Sequence, residues 1–140
     1  MDKALQLLGI ARKGGRLEAG EEPSELLARS GKARLVIAAR DAAAGTLRRI
    51  QNQLSGTKQL FVQVPYTKEE LGHAVGKSAC AVCTLTDYAL ALGFVRALPE
   101  QNPELEAELA QRAERIKRRK AKEKNRLPKN PVGQRTRRER

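Results

Sequence analysis

Ser30-Gly31-Lys32-Ala33-Arg34-Leu35-Val36-Ile37-Ala38-Ala39-Arg40-Asp41-Ala42 is the stretch on which the fold turns. From Arg34 to Ala39 it is a nearly continuous apolar run of strand length. A strand with one wet face would alternate, so an unbroken run suits a strand covered on both faces. Asp41 then reads as the N-cap of a helix through Leu54, with Ala43, Leu47, Ile50 and Leu54 on its inner side. Upstream, Glu21 to Arg29 reads as a helix between Gly20 and Ser30-Gly31. Its Pro23 falls in the first turn, where a missing N–H does no harm.

Working outward, Ala4, Leu5, Leu7, Leu8 and Ala11 recur at helical spacing over Lys3 to Arg12, and Lys13-Gly14-Gly15 stops that helix. Arg16-Leu17-Glu18 reads as a very short strand. Downstream, Leu60 to Val64 is a strand closed by Pro65. Thr67 to Glu70 fits a capping box that opens a short helix ending at Gly76. Ala79 to Leu85 is the third main strand, and Thr86 or Asp87 caps a helix to about Leu98. Strands alternating with helices argue for an α/β fold with helices on both faces of a sheet. At 140 residues there is room for one such domain and an appendage, and with only two Phe and two Tyr the core must be aliphatic.

The appendage is where the charge lies. From Glu104 to Arg140 there are 14 Lys/Arg against 6 Asp/Glu, a net +8 of the chain's +12. Pro99 and Pro103 mark the change in composition. The sequence therefore divides into a domain over 1–98, a linker over 99–103, a basic helical extension over 104–124 and a disordered basic tail over 125–140. Asn102 and Pro103 suit a helix start, and acidic residues early with basic ones late match the helix dipole. Leu105, Leu109 and Ile116 form only a thin apolar seam, which leaves the extension docked weakly or standing free. A positive charge so clustered favours a polyanion, since each phosphate neutralised releases counterions. The alternative for the charge is a solvated tail that keeps the protein soluble.

Several motifs resemble sites without completing one. Gly72-His73-Ala74-Val75-Gly76-Lys77-Ser78 has three residues between its glycines where a phosphate-binding loop has four, and it follows a helix instead of preceding one. Cys80 and Cys83 are spaced C-x-x-C, but on a strand residues three apart face opposite ways, so the pair reads as two buried small hydrophobes. His73 is the only histidine, and no nucleophile or acid accompanies it. These readings predict no enzyme, no metal and no cofactor. No apolar run spans a bilayer and no signal-peptide pattern opens the chain, so it is expected to be cytoplasmic with reduced cysteines.

Three segments together resemble a known family. They are Leu8 to Leu17 with Gly20, Ser30 to Ala42, and Thr67 to Lys77. In order and spacing, over about residues 3–97, they look like the ribosomal protein "L-seven-Ae" superfamily, which includes kink-turn RNA-binding proteins. The resemblance implies a three-layer α/β/α sandwich around a mixed four-stranded sheet. It also implies an RNA site in two parts. One is the helix start at Gly20, where members carry a Gly-x-Asn-Glu-x-x-Lys pattern. Here Gly20 fits, while Glu22, Pro23 and Leu26 stand where Asn, Glu and Lys are expected. The other is the loop before the last strand, Gly76-Lys77-Ser78-Ala79-Cys80.

The chain is therefore expected to be a non-enzymatic RNA-binding protein, associated with ribosomes or other structured, kink-turn-like RNA in a ribonucleoprotein. Arg12, Lys13, Gly20, Glu22 and Gly76 to Cys80 would form its shape-selective surface. Lys117, Arg118, Arg119 and Lys120 would centre the phosphate-binding arm. The alternative is a protein-interaction module that uses the same fold to dimerise or to bind an acidic partner.

Overall fold

A computed structural model describes residues 2–126. Of the tail expected over 125–140, residues 125 and 126 are helical, and the rest lies outside the described residues. In chain order the elements are α1 (Lys3–Lys13), β1 (Leu17–Ala19), α2 (Glu21–Arg29), β2 (Leu35–Ala38) and α3 (Ala44–Leu54). Then follow β3 (Leu60–Gln63), α4 (Lys68–Val75), β4 (Val82–Leu85), α5 (Tyr88–Ala97) and α6 (Pro103–Arg126).

The sheet is mixed and runs β1-β4-β2-β3, with β2 parallel to β3 and antiparallel to β4. Its continuous apolar strand is central, as the sequence requires, and all four residues of β2 are buried. Because side chains alternate across a strand, β2 feeds both cores. Leu35 and Ile37 join α1, α4 and α5 in one cluster, while Val36 joins Ala28 of α2 with Ile50 and Leu54 of α3 in the other. The three-layer α/β/α sandwich is thus built from one alternating strand.

The caps show how local sequence fixes these boundaries. Thr67 and Glu70 form the expected capping box, each side chain bonding the other's backbone N–H. Asp87 caps α5 through the Leu90 N–H at 2.9 Å. Asp2 caps α1 through Leu5 N–H and also accepts the Tyr66 hydroxyl at 2.6 Å. Burial, and after it that bond, pushes the Tyr66 phenol well above its ordinary range.

Asp41 corrects the expectation made for it. α3 starts three residues later, at Ala44, with no side-chain cap. The Asp41 carboxylate instead accepts the Lys68 N–H at 2.8 Å, serving the start of α4. A cap across 27 residues of chain has no local signature.

The described residues divide into two units, the first ending at Ala110 and the second beginning at Gln111. The first reaches past the linker expected at 99–103, because Leu109 is fully buried in the α1/α5 core and Leu105 packs beside it. Arg96 and Glu106 add an ion pair at 3.6 Å. No helix among the described residues is long and apolar enough to cross a membrane.

Candidate functional site

Two of the strands end together. Both β1 and β2 run antiparallel to β4, so their C-terminal ends meet its start: Ala19 pairs with Cys83, and Ala38 with Val82. That end of the sheet therefore gathers the helix start at Gly20, the turn at Ala39–Asp41 and the segment leading into β4.

Gly20 makes the first of these possible. Its φ of 116° and ψ of 164° lie where L side chains rarely go. This conformation turns the chain from β1 into α2 while the Gly20 N–H donates to the Val82 carbonyl at 2.8 Å. No side chain caps α2; Pro23 has no N–H and the Ser24 N–H donates to the Gly20 carbonyl at 3.2 Å, which leaves the Glu21 and Glu22 N–H groups at the positive helix end. Glu21 and Glu22 sit in that same turn. Glu21 pairs with Arg49 at 3.1 Å, and Glu22 is exposed. Beneath, the Thr84 hydroxyl donates to Ser24 at 2.7 Å, a fully buried link holding α2 to β4.

The second part is the loop Gly76–Cys80, and it is held at both ends. Gly76 closes α4 in the left-handed conformation, and Lys77 N–H donates to the Gly72 carbonyl at 2.7 Å. Cys80 N–H donates to the Lys68 carbonyl at 2.9 Å. Between these points the loop backbone lies on α4 itself. A Cβ on Gly72 would stand 2.7 Å from Ala79 Cα and 2.8 Å from its nitrogen. Only a glycine permits that approach.

The expected site residues thus fall into three places. Gly20 and Gly76 to Cys80 share the sheet end, where Gly76, Lys77, Ser78 and Ala79 are exposed and Cys80 is buried. Arg12 and Lys13 end α1 and line a groove with Gly76. Lys117, Arg118, Arg119 and Lys120 are exposed on α6 in the second unit, with Arg118 paired to Glu114 at 3.4 Å. Sequence reasoning missed the role of Gly72, the bond that ties Asp41 to α4, and the Ser24–Thr84 link. Of these only Gly72, a glycine inside a helical pattern, carried a visible signal.

Cys80 and Cys83 overturn the expectation of opposite faces. β4 begins only at Val82, so the two-residue period does not reach back to Cys80, and both thiols lie in the same core cluster. The Cys80 Sγ–H donates to the Val82 carbonyl at 3.2 Å, and the Cys83 thiol acts on Cys80 electrostatically. Cys80 is pulled below the ordinary thiol range, mainly by the Cys83 thiol and against burial, with help from the Gly20 N–H and the Lys77 charge. Cys83, beside Cys80 and fully buried, is pushed well above it. Both remain free thiols.

A mixed four-stranded sheet with helices on both faces, bearing a helix start and a helix-pinned loop at one end, defines a protein of the L-seven-Ae fold class. No family model matches the chain. The Bacillus subtilis protein named RNA-binding protein YlxQ is 30% identical over 89 residues, which cover 61% of this chain and 84% of that relative. The solved structure of a Bacillus halodurans protein of unknown function aligns with a TM-score of 0.65 and 26% identity, over 71% of this chain and 100% of that one. The Giardia lamblia 15.5kD RNA binding protein aligns with a TM-score of 0.57 and 21% identity, over 80% of this chain and 85% of that one. The chain belongs to the family of the YlxQ protein.

Proposed function

We propose that this chain is a non-enzymatic, cytoplasmic protein that binds structured RNA, ribosomal or of similar complexity, with the sheet end as its shape-selective surface. The observation that carries this reading is the meeting of the open α2 start at Gly20 with the loop Gly76–Cys80, pinned on Gly72. A loop fixed before binding loses little entropy when it meets a rigid partner. Uncapped helix N–H groups favour phosphate oxygens. The RNA-binding name of the Bacillus relative supports the same partner.

Within this surface the roles differ. Lys77, Arg12 and Lys13 supply charge, the exposed Gly76, Ser78 and Ala79 supply a close backbone approach, and Cys80 holds the loop from inside. Glu22, Pro23 and Leu26 remove the polar and cationic groups that a kink-turn reader places on α2. The arm offsets this loss with number: residues 111–140 hold 14 Lys/Arg against 3 Asp/Glu. Phosphate contacts then dominate affinity, and kink-turn selectivity is weak. Crosslinking the protein in cells and sequencing the attached RNA tests the reading. Enrichment of structured, ribosomal-type RNA is expected. Recovery of one acidic protein and no RNA would replace it with the protein-interaction alternative.

A further inference from the structure

α1 and α4 lie side by side in close contact: a Cβ on Gly9 would stand 3.0 Å from the Ala74 carbonyl oxygen. Above that contact runs an open groove of roughly 550 Å³, of the size that takes a small organic group. Gly9, Ile10 and Ala74 give it an apolar floor, and Arg12, Lys13 and His73 stand along it. Ile10 is 61% exposed, one of two large hydrophobic residues so exposed among the described residues. A single exposed isoleucine is ordinary by itself. This one lies in a depression whose cations Arg12 and Lys13 have no carboxylate partner among the described residues.

An adjoining depression near Leu5 is lined by Glu69, Glu70, His73, Lys77 and Ser78, with Glu70 occupied by the capping box. Arg12, Lys13 and Gly76 line the groove itself, and Gly76 opens the loop of the candidate RNA surface. A ligand with a flat apolar part and an anionic part, continuous with that surface, matches this lining. Two cations at a helix C-terminus already answer the helix dipole, but dipole compensation does not account for the apolar floor beside them.

We infer that the α1/α4 groove receives one unpaired nucleotide of the bound RNA, its base over Ile10 and Ala74 and its phosphate against Arg12 and Lys13. Specific RNA recognition commonly uses such splayed-out bases. The inference rests on the RNA-binding reading above and adds to it a second contact, distinct from the Gly20 start.

The test uses the full chain and a hairpin RNA with one bulged 4-thiouridine, compared with the fully paired stem. The wild-type chain is expected to prefer the bulged RNA by about tenfold, the scale of one good base contact. Its photo-crosslink should map to residues 4–13 or 69–77. Ile10→Ser, neutral and at an exposed position, should abolish the preference and leave paired-stem affinity within about twofold. Arg12→Gln with Lys13→Gln should weaken both RNAs. An unchanged preference in Ile10→Ser, or a crosslink confined to the Gly20 region or the arm, overturns the inference. Equal binding of the two RNAs by the wild-type chain overturns it too and leaves the RNA-binding reading standing. Failure of the wild-type chain to bind either RNA overturns both.

Discussion

A methyl group on Gly72 would press into the backbone of Ala79, and backbone cannot swing aside as a side-chain end can. Gly72→Ala is therefore expected to lower stability by about 1–3 kcal/mol, the range for overpacking. It should displace the loop at the same time, so RNA affinity falls with the melting temperature. A variant that keeps both would show that the loop is not pinned there. The thiols offer a second test at this scale. Removing the neighbouring thiol with Cys83→Ala should return the Cys80 titration upward, read as thiolate ultraviolet absorbance against pH; an unmoved titration would deny that Cys83 acts on Cys80. Residues of this kind were the least legible in the sequence. Asp41 reads as a cap for α3 yet serves α4, because its partner Lys68 is distant in the chain. Cys80 and Cys83 read as opposed only if the strand extends back to Ala79; it begins at Val82, and no local signal marks that start.

Elements were far more legible, since each announces itself by period and punctuation. The run Leu35–Ala38, the capping box at Thr67 and the Asp87 cap all lie within one turn or one strand of sequence. The register that brings Gly20 to Val82 was not legible, because it joins residues 62 positions apart in the chain. α6 shows how a local reading falls short. Two leucines in a charged helix look negligible, yet Leu109 is fully buried in the core. We propose that the functional division falls after Ala110. Ending the chain at Pro99 is expected to remove roughly the 2–5 kcal/mol of a buried leucine, which lowers the melting temperature by about 10 °C or more. Ending it at Ala110 should shift the temperature by no more than about 3 °C. Equal melting of the two truncated chains would put the division back at the prolines. On α2, Pro23→Glu with Leu26→Lys should raise selectivity for a kink-turn; each restored contact is worth about 1–3 kcal/mol, by analogy with DNA readout. Unchanged selectivity would mean that this helix face does not meet the RNA.

For the whole molecule, the proposed function divides two kinds of RNA contact between the two units. The first unit would offer shape: a helix start, a pinned loop and a groove. The second would offer charge, with exposed Lys117, Arg118, Arg119 and Lys120 at its centre. Composition alone made the charge legible, because clustering of one sign needs no fold to be seen. The shape was legible only through resemblance, because the residues that build it make no local motif. The central claim is that the arm's phosphate contacts dominate affinity while the sheet end supplies weak shape selectivity. The most direct measurement compares a kink-turn RNA with the same RNA lacking its G·A pairs, across several salt concentrations, for the full chain and for the chain ending at Ala110. The full chain should bind both with a steep salt dependence, falling by about 0.7 to 0.9 log units per phosphate contact and per tenfold salt. The shortened chain should bind both more weakly with a flatter slope, and the intact kink-turn should be favoured only modestly in either chain. A preference above roughly a hundredfold, about 2.7 kcal/mol, that persists without the arm would contradict the account.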